Sequence, residues 1–208
     1  MEESNTRGKI LKAMYQLIAE VGYDKASISK VCTLVGITKP SLYYYFPSKE
    51  DLFRAVSESM WPTLDLLDKN FFAITDAQAY RAYLDAMGRS IIENYHDDEE
   101  RRHVLAEIDL QSTRIPSIAS HQKRLGRTMG ESIASVLRHG CNIGVFDKGF
   151  DTKGNAEFLY VVLNGASQVI SRHESIDAYV AWKKAVDAIF CEATSDLRST
   201  EEEHLQGK

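Results

Sequence analysis

The run SISKVCTLVGITKPSLYYYFPSKED, Ser27 to Asp51, decides how the rest of the chain is read. Ser27 suits an N-cap, because its hydroxyl can accept from an orphan amide of a first helical turn. Ile28, Val31, Leu34 and Val35 follow at spacings that predict one buried helix face. Gly36 is a residue that turns left-handed just past a helix end. Ile37 is apolar and is expected to fill the angle between two helices. Thr38 is placed to cap the next helix, with Pro40 in its first turn, where a missing N–H costs nothing. That helix is short, carries Tyr43, Tyr44, Tyr45 and Phe46, and stops at Pro47. Helix, glycine turn, helix is the arrangement whose second helix enters the DNA major groove.

Residues Gly36-Ile37-Thr38-Lys39-Pro40-Ser41-Leu42-Tyr43-Tyr44-Tyr45-Phe46, followed by Ser48-Lys49-Glu50-Asp51-Leu52, resemble the DNA-binding domain of the Tet repressor (TetR) family. The likeness runs from Thr6 to about Ser57, a quarter of the chain. Cys32 and Val35 stand where that family mostly has alanine, and Pro40 where glycine or alanine is commoner. The resemblance implies an all-α fold, with an N-terminal three-helix helix-turn-helix domain (1–54) packed on a helical effector-binding and dimerisation domain (55–208). It also implies that Tyr43 and Tyr44 meet DNA, that Tyr45 reaches a phosphate and that Lys49 clamps the backbone.

Reach sorts the same residues independently. Thr38, Lys39, Pro40 and Ser41 form the N-terminal turn of the second helix, the part that meets base edges in this motif. Lys39 can donate to guanine O6 or N7 and Ser41 can pair with several bases, whereas Pro40 offers only apolar contact. Ser27, at the start of the first helix of the pair, completes the candidate DNA-binding set. Leu42 and Phe46, four apart, are expected to face inward. A bland alternative is that the tyrosines simply pack, but a three-helix head has little interior for four adjacent rings. Ser48 and Asp51 have the form of a capping box, and Lys49 lies beside first-turn amides that also attract a phosphate. Such contacts position the protein without reading sequence.

Charge is distributed to match. The 208-residue chain is formally −5, yet Ser4 to Arg54 holds eight Lys/Arg against four Asp/Glu, and the remainder from Ala55 holds seventeen against twenty-four. A basic head on an acidic body suits local phosphate attraction, which acts over roughly 8 Å at physiological salt. No 18-residue apolar run and no signal peptide is found, so a cytoplasmic protein with no membrane association is expected, on the nucleoid when DNA-bound. Cys32, Cys141 and Cys191 are far apart and lack a CxxC pair, which fits reduced packing thiols. There is no GxxxxGK(S/T), HExxH or GxSxG run, so neither an enzyme, a cofactor nor a metal site is expected.

Ahead of the motif, Met1 to Asn5 reads as a polar tail, and Ile10, Met14, Leu17, Ile18 and Val21 mark an amphipathic helix stopped by Gly22. Tyr23 is expected to plug the core just beyond it. After the motif a helix runs from Ser48 to Trp61, where Pro62 kinks or restarts it. Further helices are expected over 77–95, 98–113, 117–139 (ending at Gly140), 152–171 and 177–197. Glu201, Glu202 and Glu203 form an acidic tail.

The last two helices carry Phe158, Val161, Val162, Gly165, Val169, Tyr179, Trp182, Val186, Ile189 and Phe190. This apolar surface fits either ordinary core or, as the resemblance implies, a homodimer interface built as a four-helix bundle. Candidate effector-binding residues are Trp61, Leu64, Met87, Ile91, Tyr95 and Met129, with the polar His103, Glu107, Asn164 and Gln168 in apolar stretches where a pocket orients its ligand. His103 and Glu107 are four apart, which most simply predicts a hydrogen-bonded pair on one helix face. The expected function is a DNA-binding transcriptional regulator. It would be a homodimeric repressor on a near-palindromic double-stranded operator, released by a small-molecule effector. The alternative is a factor of the same fold whose C-terminal domain binds a partner protein.

Overall fold

A computed structural model describes residues 2–60, 69–96 and 98–191, and all regular structure among them is helical. Among the described residues the helices are, in order, α1 Glu2–Lys25, α2 Ile28–Val35, α3 Lys39–Tyr45, α4 Lys49–Met60, α5 Lys69–Phe72, α6 Ala77–His96, α7 Glu99–Ser112, α8 Pro116–Asn142, α9 Thr152–Ser171 and α10, residues 178–191. Trp61, Leu64, Pro62 and the acidic tail lie outside the described residues. The chain divides into two compact units, one of residues 1–63 and 98–125, the other of 64–97 and 126–208. The first thus extends beyond residue 54 and recruits α7 and the start of α8.

The first unit is organised around α1. Helix α1 begins at Glu2, where a polar tail was expected, because nothing before Gly8 breaks a helix. It is broken at Gly22, whose φ of 76° and ψ of 166° are non-helical. Ile10, Met14, Leu17 and Ile18 are buried, as the spacing predicts, together with Leu52, Phe53 and Val56 of α4, Val104 and Ile108 of α7, and Ile118 of α8. Tyr23 is buried with its ring centroid 4.4 Å from that of Phe53. Helix α7 starts at Asp98, whose carboxylate accepts from the Arg101 amide at 2.8 Å.

The second unit contains an aromatic cluster. Tyr80 of α6 is fully buried and donates its hydroxyl to the Val136 carbonyl at 2.9 Å. Burial pushes its phenol far above the ordinary range. Phe146 stacks on Phe150 at 4.1 Å and meets Tyr80 and Phe190 edge-on. The expected stop at Gly140 does not occur: α8 passes through it to Asn142, and the positive φ belongs to Gly144 at 78°. Gly140 serves as a gap instead. A Cβ there would lie 2.8 Å from Phe146 and from Tyr80. Gly88 on α6 likewise makes room for Trp182 of α10, whose indole donates to the Leu84 carbonyl at 3.2 Å.

Candidate DNA-binding surface

Local chemistry forms the α2–turn–α3 pair as the sequence predicts. Ser27 Oγ accepts from the Lys30 amide at 3.2 Å and Thr38 Oγ1 from the Ser41 amide at 3.3 Å. Gly36 takes φ 76°, ψ 36°, and its N–H donates to the Cys32 carbonyl at 2.9 Å. The buried stripe of α2 is Ile28, Val31 and Cys32, with Val35 partly buried against the same core. Leu34 departs from expectation. It is 61% exposed, because it lies one residue off the 28/31/35 stripe and points to the opposite side.

On α3 the division between inward and outward residues is clean. Leu42 and Phe46 are buried, while Thr38, Lys39, Pro40, Tyr43 and Tyr44 are exposed and Ser41 and Tyr45 are half-buried. Tyr44 is the most open of the rings and stacks edge-on to Tyr45 at 5.3 Å, leaving one face toward solvent. Arg7 of α1, itself exposed, lies over the inward-facing Phe46 ring at 5.1 Å. Ser29, Lys30 and Thr33 are exposed on α2. They were absent from the sequence set, although the 28/31/35 stripe already placed them outward.

Lys49 is engaged within its own unit. Its Nζ donates to the Asp24 carbonyl at 3.3 Å and lies 4.2 Å from the Tyr23 ring centroid, and burial pulls its ammonium below the usual lysine value. In this arrangement it fastens the start of α4 to the α1–α2 turn.

Ser48 caps α4 reciprocally. Its Oγ accepts from the Asp51 amide at 3.0 Å while its hydroxyl donates to Asp51 Oδ2 at 2.7 Å. Arg54 adds a bond to Asp51 Oδ1 at 2.6 Å. The Ser48 hydroxyl chiefly, then Arg54, hold the Asp51 carboxyl below its usual value against the opposing cost of burial. A depressed carboxyl adds stability that is complete above the unfolded value and is lost as pH falls through the folded one. Ser48→Ala is therefore expected to cost about 1 kcal/mol or more at pH 7 and less at pH 3, where the carboxylate's share is falling while the bond to the Asp51 amide remains. Denaturant melts at the two pH values check this; an equal loss at both would separate the cap from Asp51.

The other candidate residues are more scattered. Met87 and Ile91 of α6 and Met129 of α8 are buried in the second unit and Tyr95 is half-buried there, whereas Asn164 and Gln168 are exposed on α9. His103 and Glu107 belong to the first unit. The predicted pair between them is replaced: Glu107 Oε1 accepts from Gln111 Nε2 at 2.8 Å, because Gln111 is buried and needs a partner while His103 is exposed to water. A cleft of about 470 Å³ in the second unit, lined by Phe72, Arg138, Lys148 and Phe150 among others, includes none of these residues.

Of the candidate interface set, Trp182, Val186 and Ile189 are taken up by the second unit's own core. Phe158, Val161 and Gly165 are exposed along one face of α9, with Val162, Val169, Tyr179 and Phe190 half-buried. Ile176 and Val180 add exposed apolar area.

Comparison with known proteins bears on this surface directly. Residues 10–56, which span the core of α1 through α4, match the model for bacterial regulatory proteins of the tetR family. The chain is similar to the HTH-type transcriptional regulator UidR of Escherichia coli, with 25% identity over 158 residues, 76% of this chain and 78% of that one. In fold it is similar to SmeT, the repressor of the Stenotrophomonas maltophilia multidrug efflux pump SmeDEF, with TM-score 0.69 and 22% identity over 89% of each chain. It is also similar to a transcriptional regulator from Saccharomonospora viridis in complex with choline, with TM-score 0.65 and 23% identity over 89% of this chain and 96% of that one. The outward-facing α3, the capped helix-turn-helix around it and the match over residues 10–56 agree: this part of the chain is a DNA-binding domain of the tetR type found in bacterial transcriptional regulators.

Proposed function

We propose that the protein is a homodimeric repressor that a small-molecule effector releases from a near-palindromic operator. In this reading residues 1–54 form the DNA-binding domain and 55–208 the ligand-binding and dimerisation domain. The observation that carries it is the polarity of α3, with Leu42 and Phe46 turned in and Lys39, Pro40, Tyr43 and Tyr44 turned out. Two-fold symmetry then demands half-sites about one helical turn apart or a multiple of it. The exposed apolar line Phe158–Val161–Gly165 on α9 supports the dimer. Repression and small-molecule binding are supported by SmeT and by the choline complex, each described as such. Among the described residues no helix is long and apolar enough to cross a membrane.

Fragments selected from the organism's own DNA, then measured by fluorescence anisotropy across a salt series, test this reading. Binding two protomers per site, with affinity falling as salt rises yet exceeding that for a scrambled duplex, is the expected result. Equal affinity for both duplexes at every salt concentration would refute it. Tyr44→Ala is expected to lower specific affinity about 10- to 100-fold, in line with roughly 1–3 kcal/mol for a base-contacting group. Its melting temperature should not change, since the ring is 75% exposed. An effector must oppose DNA reciprocally, with a coupling typically of about 1–3 kcal/mol.

A further inference from the structure

The seam between α4 and the start of α8, inside the first unit, is polar where the core beside it is apolar. Glu50, Arg54, Ser57 and Glu58 make a stripe at helical spacing along α4, and Ser117, His121 and Arg124 make one along α8. The Ser117 hydroxyl donates to Glu50. Farther along, Glu58 Oε1 lies 3.5 Å from Arg124 Nη2 and 3.8 Å from His121 Nδ1. These two contacts tie the two helices together along the seam.

His121 is 1% exposed, yet it sits at the end of a chain of charges that reaches solvent through Glu58 and Arg124, 51% and 63% exposed. Arg124 Nη2 is 2.7 Å from His121 Nδ1. A guanidinium only donates, so Nδ1 accepts and the neutral ring carries its proton on Nε2. That Nε2 is enclosed without a hydrogen-bond partner, as is the Ser57 hydroxyl. The ring is therefore held by one nitrogen only, and that nitrogen is the one a proton would occupy.

We propose that His121 is a positioning residue for DNA binding: its neutral ring holds Arg124 against Glu58 and so fixes α4, and protonation releases that hold and weakens operator binding in acid. The inference rests on operator binding as read above and adds a regulation to it. A solvent proton adds to the Nδ1 lone pair; the ring becomes a cation with N–H on both nitrogens, and Nδ1 no longer accepts from Arg124. The charged groups facing the ring are Glu58 and Arg54 from α4 and Arg124 from α8. Burial, first, and the two arginines lower the ring's pKa below 6.5, while Glu58 raises it. For a histidine held low in the folded state, the stability it contributes is complete above the unfolded value, about 6.5, and declines as pH falls from there toward the folded value.

Operator affinity measured by anisotropy from pH 7.5 to 5.5, beside NMR titration of the His121 ring, tests this. The native protein is expected to lose affinity progressively as pH falls, by less than about tenfold at pH 5.5, the limit for a ring that titrates at 6.5 and binds only when neutral. His121→Asn, whose Oδ1 takes the place of Nδ1 without titrating, is expected to bind like the native protein at pH 7.5 and to stay nearly flat. Glu58→Gln removes the carboxylate that favours the protonated ring, so both the ring titration and the affinity midpoint move to lower pH. Should His121→Asn not fold, the half-exposed Glu58→Gln keeps the test decisive. Parallel acid losses in the native protein and His121→Asn, or midpoints unmoved by Glu58→Gln, overturn the inference and leave the regulator reading intact. Lack of specific binding at pH 7.5 overturns both.

Discussion

Gly88→Ala is expected to destabilise the second unit by about 3 kcal/mol or more, the upper range for an overpacked core. A Cβ on residue 88 would fall within the indole of Trp182, a side chain only 2% exposed. The added methyl cannot be absorbed by a rotamer change, because the indole N–H is tied to the Leu84 carbonyl of the same helix α6. Moving the ring would give up that buried bond, at about 1 kcal/mol net, and open a void where it had been. At roughly 2–4 °C per kcal/mol for a chain of this size, the melting temperature should fall by about 6–12 °C. Gly130→Ala in α8 is the control. No atom lies within 4 Å of its Cβ position, and the ordinary gain of an alanine in a helix interior, about 0.5–1 kcal/mol, is expected instead. Equal and small effects of the two substitutions would show that α10 slides away from α6 at little cost.

Leu42→Ala should abolish specific DNA binding by a different route from Tyr44→Ala. Leu42 is 0% exposed and is the buried residue within the seven-residue α3. Truncating a fully buried leucine costs about 2–5 kcal/mol. A helix of two turns has no stability of its own to set against that loss. Thr38 still caps the helix and Phe46 still closes it, but its inward face no longer fixes the angle at which Lys39, Tyr43 and Tyr44 are presented. Circular dichroism melts and anisotropy on the same sample distinguish the two variants: Leu42→Ala loses both stability and affinity, Tyr44→Ala only affinity. Native affinity in Leu42→Ala, measured well below its melting point, would mean that DNA alone orders α3.

The head was legible because its determinants are local. Ser27, Gly36, Thr38 and Ser48 each act within four residues of themselves, so cap and turn chemistry could be read directly from the chain. The boundaries of α9, 152–171, agree with the sequence reading, and the Asp151 cap that fixes its start is local too. What failed depended on a distant partner. Gly140 looks like a helix stop until Phe146 and Tyr80 are seen to need the space. For Trp182, Val186 and Ile189 the sequence left core and interface both open; the structure buries all three, Trp182 against Gly88 and Leu84 of α6. His103 and Glu107 had the right spacing, but the buried Gln111 competed for the carboxylate. His121 drew no notice, since no spacing rule singles out a histidine whose meaning comes from Glu58, sixty-three positions earlier.

The helix caps differ between the two ends of the chain in a way that bears on DNA. Helices α2 and α3 begin at neutral hydroxyls, Ser27 and Thr38, whereas α7 and α9 begin at carboxylates, Asp98 and Asp151, and the Asp76 carboxylate accepts from the Ala79 amide at the start of α6. An aspartate caps a helix as well as a serine does, but its charge cancels the partial positive charge at the helix start. Capped by hydroxyls, α2 and α3 keep that positive end available to an incoming anion. A polyanion approaching this face therefore meets no fixed negative charge at either helix start, and local helix stability is secured without repelling the phosphates these helices must approach.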